Sequence, residues 1–389
     1  MSGRTAAGTG LTLAAIVAVG INLRIGVSSL GPLLEDMRAT LGMSRPVAGV
    51  VTMIPLFALA AFTLVGARWA AAFGPRRVML WGLTALALST VARAYAPTAA
   101  LLLLATVPLG VAMAVTGSAL PVLIKDRFAG SAGAVTGTYV TALDIGAGVC
   151  ALAAVPLAEA LGDWRIALAL TAVPAALALP FAARLDGTRS ASLAQAAAKP
   201  TAALLRGRVV WLLAGVFGAQ SICFVGILTW LPAAYEAEGW SPTDAGVAGA
   251  WVLLAAIPTA FAVPVLSDRI GDRRRMVVPV AVSTAIGVLG LAAWPTVLPF
   301  LWMTLFAVGS GALFPLALTL PLDVASDASQ AGRLTGAAVM IGYFVSAFAP
   351  VAVGALRDLT GGFGVPFALL ASSAALTAPL ALALPPKRA

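Results

Sequence analysis

Two charged residues stand where charges are costly. Arg24 lies near the middle of an apolar run reaching from about residue 11 to 34, within Val19-Gly20-Ile21-Asn22-Leu23-Arg24-Ile25-Gly26. Asp144 lies inside another, within Tyr139-Val140-Thr141-Ala142-Leu143-Asp144-Ile145-Gly146. Runs of this length read as membrane-spanning helices. A charge at the centre of such a helix costs on the order of 2.5–3.5 kcal/mol on insertion scales, so it faces a partner or a water-filled cavity. Counting in from the ends of their runs, Arg24 is about 13 residues deep and Asp144 about 12. At about 1.5 Å per residue the two opposite charges sit at similar depth, and pairing, direct or through water, is expected. Arg24 offers a planar fork of five donors, which suits a carboxylate-like or other planar anion. Asp144 has two readings: it neutralises and orients Arg24, or it takes up and releases a proton that is coupled to solute movement. A third reading is that the pair only holds helices together.

Other chemistry has little to work with. The chain contains no His, the commonest metal ligand and proton shuttle. Its two cysteines, Cys150 and Cys223, fall in apolar runs and read as small packing residues. No metal cluster, disulfide framework, Ser-His arrangement or phosphate-binding loop is expected, so no cofactor, no catalytic residue and no ATP-driven pumping by this chain.

The elements that must position the two charges follow from composition. Of 389 residues, 61% are hydrophobic and 10% charged, with a mean hydropathy of +1.00. A soluble domain carries about 25% charged residues, so this is an all-α membrane protein. Twelve apolar runs are long enough to span: 11–34, 46–70, 77–95, 98–124, 131–158, 165–184, 208–234, 244–267, 276–294, 296–321, 331–356 and 363–384. The first is too long for a secretory signal core and is expected to remain as an anchor. With the N-terminus inside, 18 of the 24 Lys and Arg fall in inner segments and 5 in outer ones, with Arg24 between, which predicts an N-in, C-in topology. The net charge of +9 is thereby explained by lipid, without nucleic acid. The longest polar interruption, 185–207, follows span six and reads as a cytoplasmic linker between an N-terminal bundle, 1–184, and a C-terminal bundle, 208–389.

The two halves repeat each other. Gly133-Ala134-Val135-Thr136-Gly137 matches Gly332-Arg333-Leu334-Thr335-Gly336, an offset of 199; Leu120-Pro121 matches Leu320-Pro321, an offset of 200. The loop Ala71-Ala72-Phe73-Gly74-Pro75-Arg76-Arg77 matches Asp268-Arg269-Ile270-Gly271-Asp272-Arg273-Arg274, an offset of 197. Parallel six-helix repeats build one large class of secondary transporters, with the site at the bilayer midplane between the halves. Offset by 199, Asp144 maps onto Tyr343, and offsets of 197 to 199 carry Arg24 to Ser221–Cys223, beside Gln220. Gln220, Ser221 and Tyr343 are therefore the expected lining of the second half, and Asn22, Tyr139, Thr141 and Thr116 further candidates in the first.

The segment Asp268-Arg269-Ile270-Gly271-Asp272-Arg273-Arg274 resembles the loop signature of the major facilitator superfamily, with a degenerate first copy in which Ala71 replaces the acid. Asn22-Leu23-Arg24, followed by Gly31-Pro32-Leu33-Leu34, resembles the cyanate / 2-nitroimidazole branch, and Leu161-Gly162-Asp163-Trp164-Arg165 supports it. The resemblance spans the chain. It implies two pseudo-symmetric six-helix bundles and alternating access, with a small, anionic or weakly acidic organic solute as partner, protons as a possible second one, a monomeric state and a prokaryotic plasma membrane. A proton-driven exporter of drug-like solutes is the alternative, and a receptor a more remote one. In the loop motif, Asp268, Arg269, Arg273 and Arg274, with Arg76 and Arg77, are expected to latch one conformation across the cytoplasmic seam.

Overall fold

The computed structural model describes residues 6–128, 132–185, 204–270, 272–326 and 328–386. Of the expected linker, positions 186–203 lie outside the described residues. Among the described residues there are helices and turns and no strands. In lipid this is what the backbone requires, because every N–H and C=O must be satisfied within the protein.

The helices form twelve spans. Span one is Ala6–Ser28 followed by Leu30–Leu41; span two is Arg45–Phe73, span three Pro75–Ala94 and span four Ala99–Arg127. Span five is Ala132–Leu161, and span six is Trp164–Leu170 followed by Val173–Ala183. Spans seven to ten are Arg208–Ala237, Pro242–Ile270, Arg273–Ala293 and Pro299–Val324. Span eleven is Ala328–Ser346 followed by Ala349–Thr360, and span twelve is Gly364–Leu382. Eleven of these are long and apolar enough to cross a membrane. The remaining one, span three, has 20 residues but carries Arg76, Arg77 and Arg93.

Several spans run past the apolar limits read from sequence. Span two has 29 residues, about 43 Å at the helical rise, against roughly 30 Å of hydrocarbon. Three spans are broken instead of continuous, and each break precedes a proline: Pro32, Pro174 and Pro350. Proline lacks the N–H that the preceding turn needs and disfavours helical geometry just before it, so the chain restarts with proline near the head of a new helix.

Apolar side chains occupy both the interior and the outer surface. Leu88, Leu104 and Leu177 are each about two-thirds exposed, as suits a lipid-facing wall. Inside the first half, span two packs on four, three on four, three on six and one on five. Inside the second, eight packs on ten, nine on ten, nine on twelve and seven on eleven, so each contact recurs six spans later. The seam between halves obeys the same symmetry, with five against eight and two against eleven.

The seam is tighter at one end. A Cβ placed on Gly49 of span two would lie 2.7 Å from the Pro350 carbonyl oxygen of span eleven. Trp230 of span seven donates to that same oxygen at 2.8 Å. Here Arg45 also reaches Asp358 at 3.3 Å, and Thr243 donates to Glu159 at 3.0 Å. We call this the distal face. Toward the face where span one begins, Gly137 and Gly336 would meet only the side-chain tips of Phe261 and Leu64, at 3.7 and 3.9 Å.

Candidate functional site

Arg24 and Asp144 meet because spans one and five approach closely. A Cβ on Gly20, one turn before Arg24, would lie 3.0 Å from the Tyr139 carbonyl oxygen. A Cβ on Gly146 would overlap the Ile21 carbonyl oxygen. Two small residues thus let the backbones close up, as is usual between membrane helices, and the facing side chains pair. Nη1 of Arg24 donates to Oδ1 of Asp144. The Asp144 side chain is 9% exposed and that of Arg24 25%, so the guanidinium is the open end of the pair.

That open end faces the second half. The Arg24 guanidinium carbon lies 5.4 Å from the ring centroid of Phe224 in span seven and 5.7 Å from that of Phe314 in span ten. Both distances are within the range of cation–π attraction. Phe314 leans on Phe217, whose ring meets Tyr343 edge-on at 5.1 Å, and Phe224 stacks on Phe306 at 6.3 Å. The two rings are therefore held from behind by other aromatics.

These groups line a narrow pocket between the halves. Arg24, Val140 and Asp144 come from the first half; Gln220, Phe224, Ser310 and Phe314 are among the residues from the second. Only about 30 Å³ admits the centre of a water-sized molecule. One water needs roughly 10–15 Å³ by that measure, so this conformation holds a couple of waters or a ligand of few atoms.

The other residues singled out from sequence divide into two groups. Gln220 lines the pocket and donates to Ser221 at 3.0 Å, which leaves Ser221 one step behind the wall. Tyr139 and Tyr343 are electrostatic neighbours of Arg24, one in each half. Asn22, by contrast, turns away: its amide donates to the carbonyls of Ala18 at 2.8 Å and Pro174 at 3.1 Å, tying span one to span six. Thr141 lines a separate apolar groove with Val17, Ile145 and Phe261. Thr116 is fully buried in the first half.

Around the loop motif, the side chains of Asp268 and Arg269 lie outside the described residues. Arg273 pairs with the buried Asp323 at the end of span ten. Arg274 grips Asp272 through two parallel bonds of 3.0 Å and donates to the Leu384 carbonyl at 2.6 Å. Asp272 also caps span nine, accepting from the Arg274 backbone N–H. The hydrogen bonds from Arg274 hold its carboxyl below the usual carboxylate range. These two pairs lie within the second half. Arg76 and Arg77 are exposed.

Three residues escaped the sequence reading. Phe224 and Phe314 look like ordinary apolar positions, yet the offset of 200 shown by Pro121 and Pro321 carries Arg24 onto Phe224. Residues related by a two-fold repeat meet where its axis passes, so that signal was present. Arg93, near the end of the run 77–95, is fully buried, and its Nη1 donates to the Gly26 carbonyl at 2.9 Å.

Three comparisons bear on this arrangement. The family model for the Major Facilitator Superfamily matches residues 16–350 and, in a second match, 234–389. The chain is 31% identical over 352 residues to the cyanate transport protein CynX of Escherichia coli (strain K12), covering 90% of this chain and 91% of that protein. It is 29% identical over 355 residues to the 2-nitroimidazole transporter of the same organism, covering 91% and 90%. Among solved structures, an inward open conformation of the xylose transporter XylE from E. coli superposes with a TM-score of 0.80 at 15% identity, covering 98% of this chain and 97% of that one.

Proposed function

The chain belongs to the major facilitator superfamily of membrane transporters, and from that premise we propose that it carries a small anionic or weakly acidic organic solute across a prokaryotic plasma membrane. It is a multi-pass secondary transporter working by alternating access, not an enzyme. The observation that carries the anionic reading is Arg24. A guanidinium at mid-depth, a quarter exposed, opens into the pocket between the halves. Its fork attracts an anion and repels a cation. Two relatives are described as carrying cyanate and 2-nitroimidazole, one a small anion and the other a weakly acidic heterocycle, which agrees with this reading.

In the working cycle we take residues 1–184 and 208–389 as the two rocking bundles, joined by 185–207, with both termini cytoplasmic. The distal face is then the outer one, and its tight seam closes the pocket to the outside. The solute is held by Arg24 and Gln220, with Tyr139, Tyr343 and Ser221 close behind. Asp144 orients the guanidinium through Nη1, leaving the edge with Nε and Nη2 to the solute. When an anion draws on Arg24, Asp144 loses part of its counter-charge, which favours proton uptake there. That gives a route by which a proton and the solute travel together.

The test is uptake of labelled cyanate, benzoate and 2-nitroimidazole into proteoliposomes, with and without a pH gradient. At least one is expected to accumulate, and Arg24→Ala to abolish it. A verified solute carried normally by Arg24→Ala would refute the site. Transport indifferent to the pH gradient, and unchanged in Asp144→Asn, would remove proton coupling through Asp144.

A further inference from the structure

The aromatic faces around Arg24 carry the anion reading one step further, to the shape of the solute. Arg24 is held from one side by Asp144 and overlooked from the other half by Phe224 and Phe314, at 5.4 and 5.7 Å. A guanidinium binds an anion best edge to edge, with donors and acceptors in one plane. An anion bound this way lies as an extension of the guanidinium plane. With both ring centroids within 5.7 Å of the guanidinium carbon, an anion on its free edge lies beside the rings.

A phenyl face is the negative side of the ring's quadrupole. A tetrahedral oxyanion bonded to the fork keeps oxygens above and below the plane, and these press negative charge toward the rings. A flat, π-conjugated anion keeps its charge at its edge and turns a π face outward, which stacks on a ring in an offset manner. Phe217 packs against Phe314 and Phe306 against Phe224, so neither ring stands alone.

We infer that Phe224 and Phe314 form an aromatic clamp that selects flat, π-conjugated anions over tetrahedral anions of equal charge. The inference rests on the reading of Arg24 as the anion-binding group. Phe224 and Phe314 are then specificity-determining residues contributed wholly by the second half.

The experiment measures binding to the purified full chain in nanodiscs by calorimetry. Nitrate and benzoate serve as flat monoanions, and methanesulfonate and methylphosphonate (at a pH where it is singly charged) as tetrahedral ones. The wild type is expected to favour the flat pair. Phe224→Leu and Phe314→Leu keep apolar bulk and remove the ring, and each is expected to lower the flat-to-tetrahedral ratio roughly two- to tenfold. Phe224→Tyr keeps the face and is expected to retain the ratio. Arg24→Gln is expected to lose both classes. Flat and tetrahedral anions weakening equally in the Leu variants, or a wild type without preference, would overturn the clamp while leaving Arg24 as the anion site. Anions that bind Arg24→Gln as well as wild type, or that fail to bind wild type at all, would overturn the underlying reading and the clamp with it.

Discussion

Replacing Arg24 by Gln and Asp144 by Asn, singly and together, separates a pair that builds the fold from a pair that also binds. Removing one partner of a buried ion pair costs about 3–5 kcal/mol, because the other charge is left behind. Asp144, at 9% exposure, is close to that limit. Stranding it by Arg24→Gln is expected to cost about 3 kcal/mol. Stranding Arg24 costs less. It is 25% exposed, and solvent screens part of the loss. It also keeps two ring faces, each worth about 0.5–1 kcal/mol. Asp144→Asn is therefore expected to cost about 1–2 kcal/mol. In the double variant a Gln faces an Asn, both neutral and able to hydrogen bond, and the expected cost is about 1 kcal/mol. The non-additivity is then about 3 kcal/mol, far above the scatter for independent sites. If the first bundle unfolds as a unit, this means Tm losses of roughly 9 °C for Arg24→Gln, 4 °C for Asp144→Asn and 3 °C for the pair together. The assay is thermal unfolding in nanodiscs with and without solute. Restored stability in the double variant, without restored solute stabilisation, is the expected outcome. Additive losses would refute the coupling. Restored transport in the double variant would refute the binding role, because a neutral pair has no fork for an anion.

Three further outcomes are expected. Asn22→Leu removes the bond to Pro174 and is expected to cost about 1 kcal/mol or more of stability while leaving KM for uptake unchanged; a raised KM with unchanged Tm would return Asn22 to the site. Gly49→Val places methyl groups where a Cβ alone would already sit 2.7 Å from the Pro350 oxygen, so the distal seam should open. Alkylation of a cysteine introduced at Ser310 by an impermeant reagent on that face should then quicken on the order of tenfold, and an unchanged rate would contradict the seam as drawn. Arg274 depresses the Asp272 carboxyl in the folded chain, so the contribution is fully present above the unfolded value near pH 4 and is lost as pH falls below it. Asp272→Asn should flatten that acid limb of a Tm-against-pH curve, and an identical limb would refute the assignment.

Residues differed in how legible they were. The Arg24–Asp144 pair could be read because an intramembrane charge is expensive enough to demand a partner, and depth can be counted along a helix. Asn22 could not be told from a lining residue by type alone. A neutral amide serves a helix–helix bond and a solute equally well. Periodicity held the answer: two residues along a helix is about 200° around it, so Asn22 and Arg24 cannot share a face. The break before Pro32 was visible as a Gly-Pro interruption. Those before Pro174 and Pro350 were hidden inside runs whose hydropathy never falls. Hydropathy also concealed Arg93, because a residue at the end of a run reads as loop whether it meets water or a backbone carbonyl. The loop-motif arginines were read as crossing the seam. In the structure Arg273 pairs with Asp323 and Arg274 with Asp272 inside one half, and a loop sequence carries no information about which acid folds back to it.

The division of labour around Arg24 bears on how a bound solute could drive the halves. Arg24 and Asp144 belong to one half and move together, so their bond survives any rocking between bundles. The contacts of Arg24 with Phe224 and Phe314 cross the seam and must change when the halves rotate. A ligand shifts a conformational equilibrium only by the difference in its interaction with the two states. A solute touching only the ion pair would bind both states equally and shift nothing, however tightly it bound. The differential part has to come from the second half, and there the pocket offers two rings, one amide at Gln220 and one hydroxyl at Ser310. On the proposed reading, charge supplies capture and the neutral facing half supplies the coupling. It follows that variants of Phe224, Phe314 and Gln220 should depress turnover more than affinity, whereas variants of Arg24 should depress affinity first.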